Sequence, residues 1–322
     1  DIIDQENYFF ESVGPLTEGL RKLAEDHIPT YLVSGNHDFD VLSDAVHQGD
    51  SDWLYYLGGD GEWEPQTLET EQGDVQLVGR SFTSRSQTSD PLMDLDSAIL
   101  EEGLPSVGIV HGEIDQPRSS YGPLNRQRLI DSGLDAWIVG HIHKPDILRD
   151  KNPLLCYPGS PHAFDAAEPG IHGPWLLHLQ PDRSIELEQL PLSPIRYENM
   201  EIDISHTGNK QEFRRNVTTH LMDYARQHSN SLDMVRYLVF DIRLIGASSD
   251  PEQVRDWAEE VTDYYEELTT EELLVSVRKV KTEIDPALEG LEDWARLDNP
   301  VGILSNMLLK LQEGEEEPFI EE

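Results

Sequence analysis

Three polar segments of the sequence each follow a run of β-branched and apolar residues. They read Gly-Asn-His-Asp at 35–38, His-Gly-Glu at 111–113 and Gly-His-Ile-His at 140–143. The chain also begins with Asp1 in Asp-Ile-Ile-Asp, which is typical of the loop after a strand that starts further upstream. Because polar chemistry in layered α/β folds gathers at strand ends, we expect these side chains to lie together.

Histidine, asparagine and aspartate side chains in this arrangement predict a metal site. Imidazole and carboxylate groups suit Mn²⁺, Fe²⁺ or Zn²⁺, and one carboxylate can bridge two ions. His141 and His143 are two residues apart in an extended segment, so they reach different positions of one cluster. Two ions about 3.5–4 Å apart would activate water and hold both oxygens of a phosphoryl displacement. A lone histidine at a strand end is more often a surface residue, but the joint pattern favours metal ligands.

The first part of the chain alternates short β-branched runs with amphipathic stretches, which predicts a layered α/β unit. Strands are expected at Thr30–Ser34, Val75–Val78, Val107–Val110, Ala136–Val139 and Leu154–Tyr157, with a closing hairpin of Trp175–Leu179 and Ile185–Leu190. Helices are expected at Pro15–Asp26 and Asn125–Ser132. Pro191 and Pro194 mark a boundary near Ser193.

A second, smaller α/β unit is expected to follow this boundary. Its predicted elements are helix Lys210–Gln227, strand Tyr237–Ile245, a helix that starts at Pro251 and continues to Leu268, and strand Leu273–Val280. Asp250 and Gln253 supply an N-cap and a capping-box residue for the second of these helices. After a loop, a last apolar helix is predicted at Val301–Gln312, followed by an acidic tail. The predicted domains are therefore residues 1–193, 194–290 and 291–322.

Composition restricts the class of protein. The chain has 322 residues, 37% of them hydrophobic, which is enough for one large or two modest domains with a core. Asp and Glu number 63 against 24 Lys and Arg, and the net charge of −39 disfavours a general DNA-coating protein. The single cysteine cannot form an internal disulfide, and no apolar run approaches the roughly 20 residues of a membrane helix. We expect a soluble, cytoplasmic protein.

The order of the motifs resembles that of the calcineurin-like metallophosphoesterase superfamily, whose members carry Gly-Asn-His-Asp, a His-Gly and Gly-His-x-His. Gly-His-Ile-His-Lys-Pro at 140–145 followed by Tyr-Pro-Gly-Ser-Pro at 157–161 is similar in particular to SbcD-type DNA repair nucleases, including the YhaO-like branch. This resemblance extends by motif to Pro161 and by architecture thereafter. It implies a layered metallophosphoesterase β-sandwich flanked by helices, a smaller α/β capping domain and a C-terminal helix.

The resemblance also implies roles for the metal-binding residues. Asp1 matches the aspartate that bridges both ions, and Asn36, His111 and His141 match ligands of the second metal. His143 matches a ligand of the first metal. The expected cofactor is a pair of Mn²⁺ ions, with Fe²⁺ or Zn²⁺ as alternatives. The Asp-x-His motif that completes the first metal site is expected upstream of Asp1.

Two further residues are implied to take part in catalysis. His37 matches the residue that protonates the leaving oxygen or stabilises the charged transition state, and Asp38 would orient it. Asp4 matches either a further site carboxylate or a helix-capping residue. The stretch 162–168 follows the family pattern only loosely, and His162 and His172 fall in a Gly/Pro-rich loop that could border the cleft.

The acidic charge must be reconciled with a DNA substrate. Only 7 of the basic residues are lysine, and this balance indicates adaptation to high intracellular salt. At about 1 M salt the Debye length is roughly 3 Å, so net repulsion hardly reaches the substrate. Five arginines in loops around the predicted site would meet phosphates or pair with carboxylates, and they are Arg80, Arg85, Arg118, Arg126 and Arg128.

The favoured function is a Mn²⁺-dependent DNA exonuclease and endonuclease subunit in double-strand break repair. A small-molecule phosphodiesterase or phosphomonoesterase on the same scaffold is an alternative, and so is a catalytically inactive scaffold. The implied partners are DNA ends and an SbcC-type ATPase, with a homodimer left open and no membrane. The apolar stripe of Val301, Leu304, Leu308 and Leu311 would either contact that ATPase or pack on the capping domain.

Overall fold

The computed structural model describes residues 1–3, 12–48, 52–180, 182–205, 207–260, 273–287 and 291–312. The chain forms two compact units, residues 1–196 and 197–322. The division at residue 196 falls close to the expected boundary at 193, and the segment 291–322 belongs to the second unit. Asp4, the continuation of the predicted helix to Leu268 and the acidic tail lie outside the described residues.

The first unit contains twelve strands and three α-helices among its described residues. The strands are β1 (Thr30–Leu32), β2 (Leu54–Tyr56), β3 (Glu64–Leu68), β4 (Val75–Arg80), β5 (Ser106–His111), β6 (Glu113–Ile114), β7 (Pro123–Leu124), β8 (Ala136–Gly140), β9 (Asp146–Arg149), β10 (Leu154–Tyr157), β11 (Trp175–Leu179) and β12 (Ile185–Gln189). The helices are α1 (Val13–Glu25), α2 (Leu42–Gln48) and α3 (Arg126–Asp131).

A six-stranded mixed sheet with the order β3-β4-β5-β8-β10-β9 forms the centre of this unit. The four inner strands β4, β5, β8 and β10 are parallel, and the edge strands β3 and β9 are antiparallel to their neighbours. The inner strands are the ones that the apolar runs predict, and the α/β fold class is confirmed. The edge strands escape that prediction because they are short and carry no continuous apolar run of the length of the inner strands.

Both faces of the sheet are covered, as a layered fold requires. On one face, Trp137 and Val110 pack in a cluster with Leu129 of α3. On the other face, Cys156 and Val107 belong to a cluster against which the hairpin of β11 and β12 packs. Inner strands of a parallel sheet are apolar on both sides for this reason.

Parallel pairing aligns the ends of the inner strands. The register of β5 and β8 places His111 opposite Gly140, so His141 and His143 follow directly beyond the end of β8. The loop that carries Asn36 follows β1, whose parallel partner is β2. The three polar segments of the sequence therefore lie beyond strand ends, as expected.

The second unit is a three-stranded sheet with two helices packed against it. Its elements are β13 (Ile195–Asp203), α4 (Lys210–Gln227), β14 (Tyr237–Ser248), α5 (Pro251–Glu259), β15 (Leu274–Pro286), α6 (Leu291–Trp294) and α7 (Pro300–Gln312). The sheet order is β13-β14-β15. Phe213 of α4 and Val254 of α5 are buried against Phe240 of β14 in one core cluster. The Asp250 side chain accepts a hydrogen bond from the Gln253 N–H, as the predicted N-cap requires.

Within the described ranges, the chain has no helix that is both long and apolar enough to cross a lipid bilayer.

Gly108 in β5 is expected to be intolerant of a side chain. A Cβ atom at this position would overlap the indole ring of Trp137, its partner across the sheet. Gly108→Ala should therefore lower the free energy of unfolding by about 1–3 kcal/mol in urea titrations followed by circular dichroism. The matched control is Gly19→Ala in α1, where a Cβ meets nothing within 4 Å. A gain of up to about 1 kcal/mol is expected there, and unchanged stability of Gly108→Ala would contradict the packing argument.

Candidate metal centre

Four ligand atoms converge where the strand ends meet. His111 Nε2 lies 2.9 Å from Asn36 Oδ1, 3.2 Å from His141 Nδ1 and 3.2 Å from Asp1 Oδ2. His141 Nδ1 also lies 3.2 Å from Asn36 Oδ1. One ligand atom from each of Asp1, His111 and His141 lies within 4.8 Å of the other two. The structure thus brings together four predicted ligands that are distant in sequence.

The chemistry of these atoms fits a divalent cation. His111 Nε2 carries at most one proton, and three atoms with lone pairs lie within 3.2 Å of it, so one proton does not account for all of these contacts. Two ligands about 2.1 Å from one ion are about 3.0 Å apart at a right angle and about 3.4 Å apart at the tetrahedral angle. The observed separations of 2.9–3.2 Å match this range. Mixed nitrogen and oxygen ligands suit Mn²⁺, Fe²⁺ or Zn²⁺.

Gly35 and Gly140 have no side chains, and the cluster occupies the space where side chains at these positions would lie. A Cβ on Gly35 would overlap the Asp1 carboxylate and lie 2.5 Å from His111 Nδ1. A Cβ on Gly140 would lie 2.9 Å from the same nitrogen. The motif glycines are thus needed because ligand side chains approach their backbone closely.

His141 adopts a strained backbone conformation, with φ at +94°. This region favours glycine, and a residue with a side chain is held there at a cost of about 1–3 kcal/mol. The strain turns the His141 ring toward His111 directly after β8 ends. Backbone strain of this kind is typical of functional sites, where the surrounding contacts impose it.

Burial keeps both cluster histidines in the form that binds metal. The pKa of His111 is far below its ordinary value because the ring is buried. Burial also lowers the pKa of His141, although the nearby Glu113 carboxylate opposes that effect. Both rings are therefore neutral at neutral pH, and a neutral imidazole offers a lone pair to a cation.

His143, the fifth predicted ligand, is paired differently. Its Nδ1 lies 2.9 Å from Glu168 Oε1, and its side chain is about half exposed. It is close enough to the cluster that its charge would lower the pKa of His111 and His141. Its assignment to the first metal stays a prediction.

His37 and Asp38 occupy different positions beside the cluster. The His37 N–H donates a 2.9 Å hydrogen bond to Asp1 Oδ1. Asp38 is fully buried and accepts hydrogen bonds from the N–H groups of Gly35 at 2.7 Å and Ile2 at 2.6 Å. Asp38 therefore joins the loop after β1 to the segment that carries Asp1. Its predicted effect on the orientation of the His37 ring stays a prediction.

Sequence reasoning assigned no role to four residues that contact the site. Glu113 Oε1 lies 3.4 Å from His141 Nε2, and Glu168 contacts His143 as described. The Tyr121 ring lies 5.2 Å from the His141 ring, and the Phe82 ring meets His111 edge-on at 5.3 Å. Only Glu113, two residues after a ligand, carried a local signal.

Three of the five arginines near the site are paired with carboxylates. Arg80 contacts Asp94 at 3.1 Å, and Arg126 and Arg128 contact Asp115 and Asp90, each at 2.6 Å. Arg85 and Arg118 are exposed and have no ion-pair partner within the part of the chain that the structure describes. Only these two are therefore available to a phosphate without breaking an ion pair.

A mixed α/β sheet with His, Asn and Asp ligands at its strand ends defines a metallophosphoesterase-type centre. Residues 13–173 match the family described as the calcineurin-like phosphoesterase superfamily domain, and the chain belongs to this superfamily. It is also 25% identical over 227 residues to a protein of Bacillus subtilis (strain 168) described as "Uncharacterized metallophosphoesterase YhaO". The match covers 65% of this chain and 51% of that protein, so the chain spans about half the length of this relative. The superfamily and the likeness to YhaO are confirmed, and the SbcD-type repair role stays a prediction.

Gly35→Ala should weaken metal binding, because the added methyl group displaces the Asp1 carboxylate and the His111 ring from the cluster. Mn²⁺ affinity measured by titration calorimetry is expected to fall about 10–100-fold, as for other disturbances around metal sites. Gly14→Ala, where a Cβ meets nothing within 4 Å, is the control and should bind like the unmodified chain. Equal affinity in both variants would show that the cluster is not the metal site.

Proposed function

We propose that this chain is a phosphodiesterase that uses two divalent metal ions, Mn²⁺ in the first instance, and acts on DNA. The observation that supports the phosphodiesterase assignment is the convergence of Asp1, Asn36, His111 and His141 on one point, in a member of this superfamily. Asp1 and His141 each keep 17% of their side-chain surface exposed, so a phosphate can reach the cluster.

Different residues of the chain would hold the metal ions and transfer the proton. Bound ions supply Lewis-acid activation of water and of the phosphoryl oxygens. Asp1, Asn36, His111 and His141 would hold them, and His143 would contribute to the first site. The backbone N–H of His37 donates a hydrogen bond to Asp1 Oδ1, which holds this residue beside the cluster. From there it would protonate the leaving oxygen.

DNA as substrate is supported by the SbcD-like motif order and by the presence of a second α/β unit after the phosphoesterase unit. The charge of −39 requires that long-range repulsion be screened, as it is at about 1 M salt. Adaptation to a salt-rich cytoplasm therefore belongs to this proposal. Arg85 and Arg118 would then supply local contacts to phosphates.

A small-molecule phosphodiester is the second candidate substrate. The pairing of Arg80, Arg126 and Arg128 with carboxylates favours it, because a long polyanion would gain few contacts near the site. An inactive scaffold is disfavoured, because the four-atom cluster is intact and a degenerate site would have no reason to keep it.

His37→Ala should abolish turnover while metal binding persists, because His37 is assigned to proton transfer and not to coordination. A fall of about 10²–10⁴-fold in kcat is expected. The assay pairs end-labelled duplex DNA with bis(p-nitrophenyl) phosphate, each with Mn²⁺ and with Mg²⁺. Nitrogen ligands predict higher activity with Mn²⁺.

The outcomes of this assay separate the candidates. Mn²⁺-dependent DNA cleavage that is lost in His37→Ala supports the nuclease, whereas hydrolysis of the chromogenic diester alone supports the small-molecule enzyme. No hydrolysis of either substrate by a metal-loaded protein would indicate the scaffold. Loss of bound metal in His37→Ala would make His37 a ligand.

The outward face of α7 supports the proposal of a protein partner. Four of its apolar side chains expose between 42% and 65% of their surface, and they are Val301, Ile303, Leu304 and Leu311. The buried side of the helix is formed by small residues, Gly302 and Ser305. Asn306 donates a 2.7 Å hydrogen bond to the Ala295 carbonyl beyond α6. Most of the predicted stripe thus faces solvent, and we propose that it docks in an apolar groove of an SbcC-type ATPase.

Leu304→Asp should leave the fold intact, because this side chain is 57% exposed, and it should abolish binding of the ATPase. The expected result is an unchanged melting temperature and loss of co-purification with the ATPase. Met222→Asp, an exposed apolar position on α4, is the matched control and should retain the partner. A large drop in melting temperature for Leu304→Asp would place the stripe in a core, and retained co-purification would exclude this interface.

A further inference from the structure

Each histidine of the Gly-His-Ile-His loop has a carboxylate on one of its ring nitrogens. His143 Nδ1 lies 2.9 Å from Glu168 Oε1, whereas His141 Nε2 lies 3.4 Å from Glu113 Oε1. The two carboxylates therefore contact different nitrogens of the two rings. An ionised carboxylate can accept hydrogen bonds but cannot donate them. Each contact therefore favours a proton on the ring nitrogen that faces the carboxylate.

We propose that Glu113 and Glu168 are positioning residues that fix opposite tautomers of the two histidines. His141 then carries its proton on Nε2 and presents the Nδ1 lone pair, and His143 carries its proton on Nδ1 and presents the Nε2 lone pair. For His143, this inference rests on its proposed role as a metal ligand. Carboxylates in this position set the tautomer and raise the basicity of the ligating nitrogen.

The His141 half of the proposal agrees with the cluster geometry. The nitrogen left without a proton, Nδ1, is the one 3.2 Å from Asn36 Oδ1 and 3.2 Å from His111 Nε2. If the proton were on Nδ1, Nε2 would turn its lone pair to the Glu113 carboxylate, and two acceptors would face each other. A proton on Nε2 instead leaves the Nδ1 lone pair beside Asn36 Oδ1 and His111 Nε2, where one bound cation would contact all three atoms.

Glu113 is held in place by the backbone on both sides. Its own N–H donates to the Gly122 carbonyl at 2.9 Å. The buried Tyr157 hydroxyl accepts from the Ile114 N–H at 2.8 Å and donates to the Gly112 carbonyl at 3.1 Å. These bonds anchor the residues before and after Glu113, so the backbone that carries its carboxylate is fixed.

Glu168 is held by a closed circuit of hydrogen bonds that starts and ends at His143. The Ser160 N–H donates to the His143 carbonyl at 2.8 Å, and the Ser160 hydroxyl lies 3.2 Å from His172 Nδ1, which can accept from it. His172 Nε2 lies 3.1 Å from the Glu168 carbonyl, and the Glu168 carboxylate contacts the His143 ring. The second carboxylate oxygen accepts from the Phe164 N–H at 2.9 Å.

This circuit explains the buried His172. It is 1% exposed and lies between residues 160 and 168, both of which contact His143. The loop that follows the family pattern only loosely in sequence thus has a definite structural task. It supplies the Glu168 carboxylate that orients the His143 ring, and its Ser160 N–H donates to the carbonyl of His143.

The tautomers can be observed directly in the unmodified chain. Long-range ¹H–¹⁵N spectra of the metal-free protein labelled at histidine, recorded near pH 8, distinguish a protonated ring nitrogen from a bare one. His141→Asn and His143→Asn assign the signals. We expect protonated Nε2 and bare Nδ1 for His141, and the reverse for His143. The same tautomer in both rings, or the reverse pair, would overturn the proposal.

Zn²⁺ titration calorimetry tests the consequence for metal binding. Glu168→Ala and Glu113→Ala should each weaken binding about 10–100-fold, the range measured for outer carboxylates of metal sites. The Gln variants keep a carbonyl acceptor, so they should keep the tautomers in the NMR spectra and recover part of the affinity. Glu102→Ala, at an exposed position away from the site, should bind like the unmodified chain.

Melting curves show whether each variant is folded. If an Ala variant unfolds, the Gln variant and the spectra of the unmodified chain still decide the question. Affinity unchanged in folded Glu168→Ala and Glu113→Ala would refute the positioning role. Neither readout uses DNA or turnover, so failure of the nuclease assignment would be recognised separately.

Discussion

The register between β5 and β8 sets His111 opposite Gly140, and the contact between His111 and His141 depends on that pairing. A shift of one residue would turn the side chains at the end of each strand to the other face of the sheet. Trp137, opposite Gly108 in the same pair of strands, fits only where no side chain opposes it. Core packing thus maintains the alignment that the cluster needs.

The cluster concentrates groups that repel one another in the absence of a cation. The ligand atoms of Asn36, His141 and Asp1 lie 2.9–3.2 Å from His111 Nε2, the His111 ring is buried without charge, and His141 has a strained backbone. Contacts outside the cluster hold these groups together. Asp38 binds the loop that carries Asn36 to the start of the chain, and Tyr157 fixes the backbone beyond His111.

Two surfaces of the chain have opposite characters. Arg80, Arg126 and Arg128 are neutralised by acidic neighbours, whereas α7 leaves an apolar face uncovered among its described residues. Such a division is consistent with a protein that meets its substrate through the metal centre and a few cations. Apolar burial would then provide most of the affinity for a protein partner.

The sequence by itself determined the inner strands, the main helices and the residue types of the centre. Apolar runs such as Val107–Val110 predict a strand that is buried on both faces, and Asp250 with Pro251 predicts a helix start, because both signals are local. Tertiary structure alone decided that Arg126 pairs with Asp115 and that Glu168 contacts His143. It also decided that edge strands β3 and β9 form, since such short strands with few apolar residues are stabilised by pairing with a neighbour and not by their own pattern. These outcomes depend on contacts between residues whose proximity arises only when the chain folds.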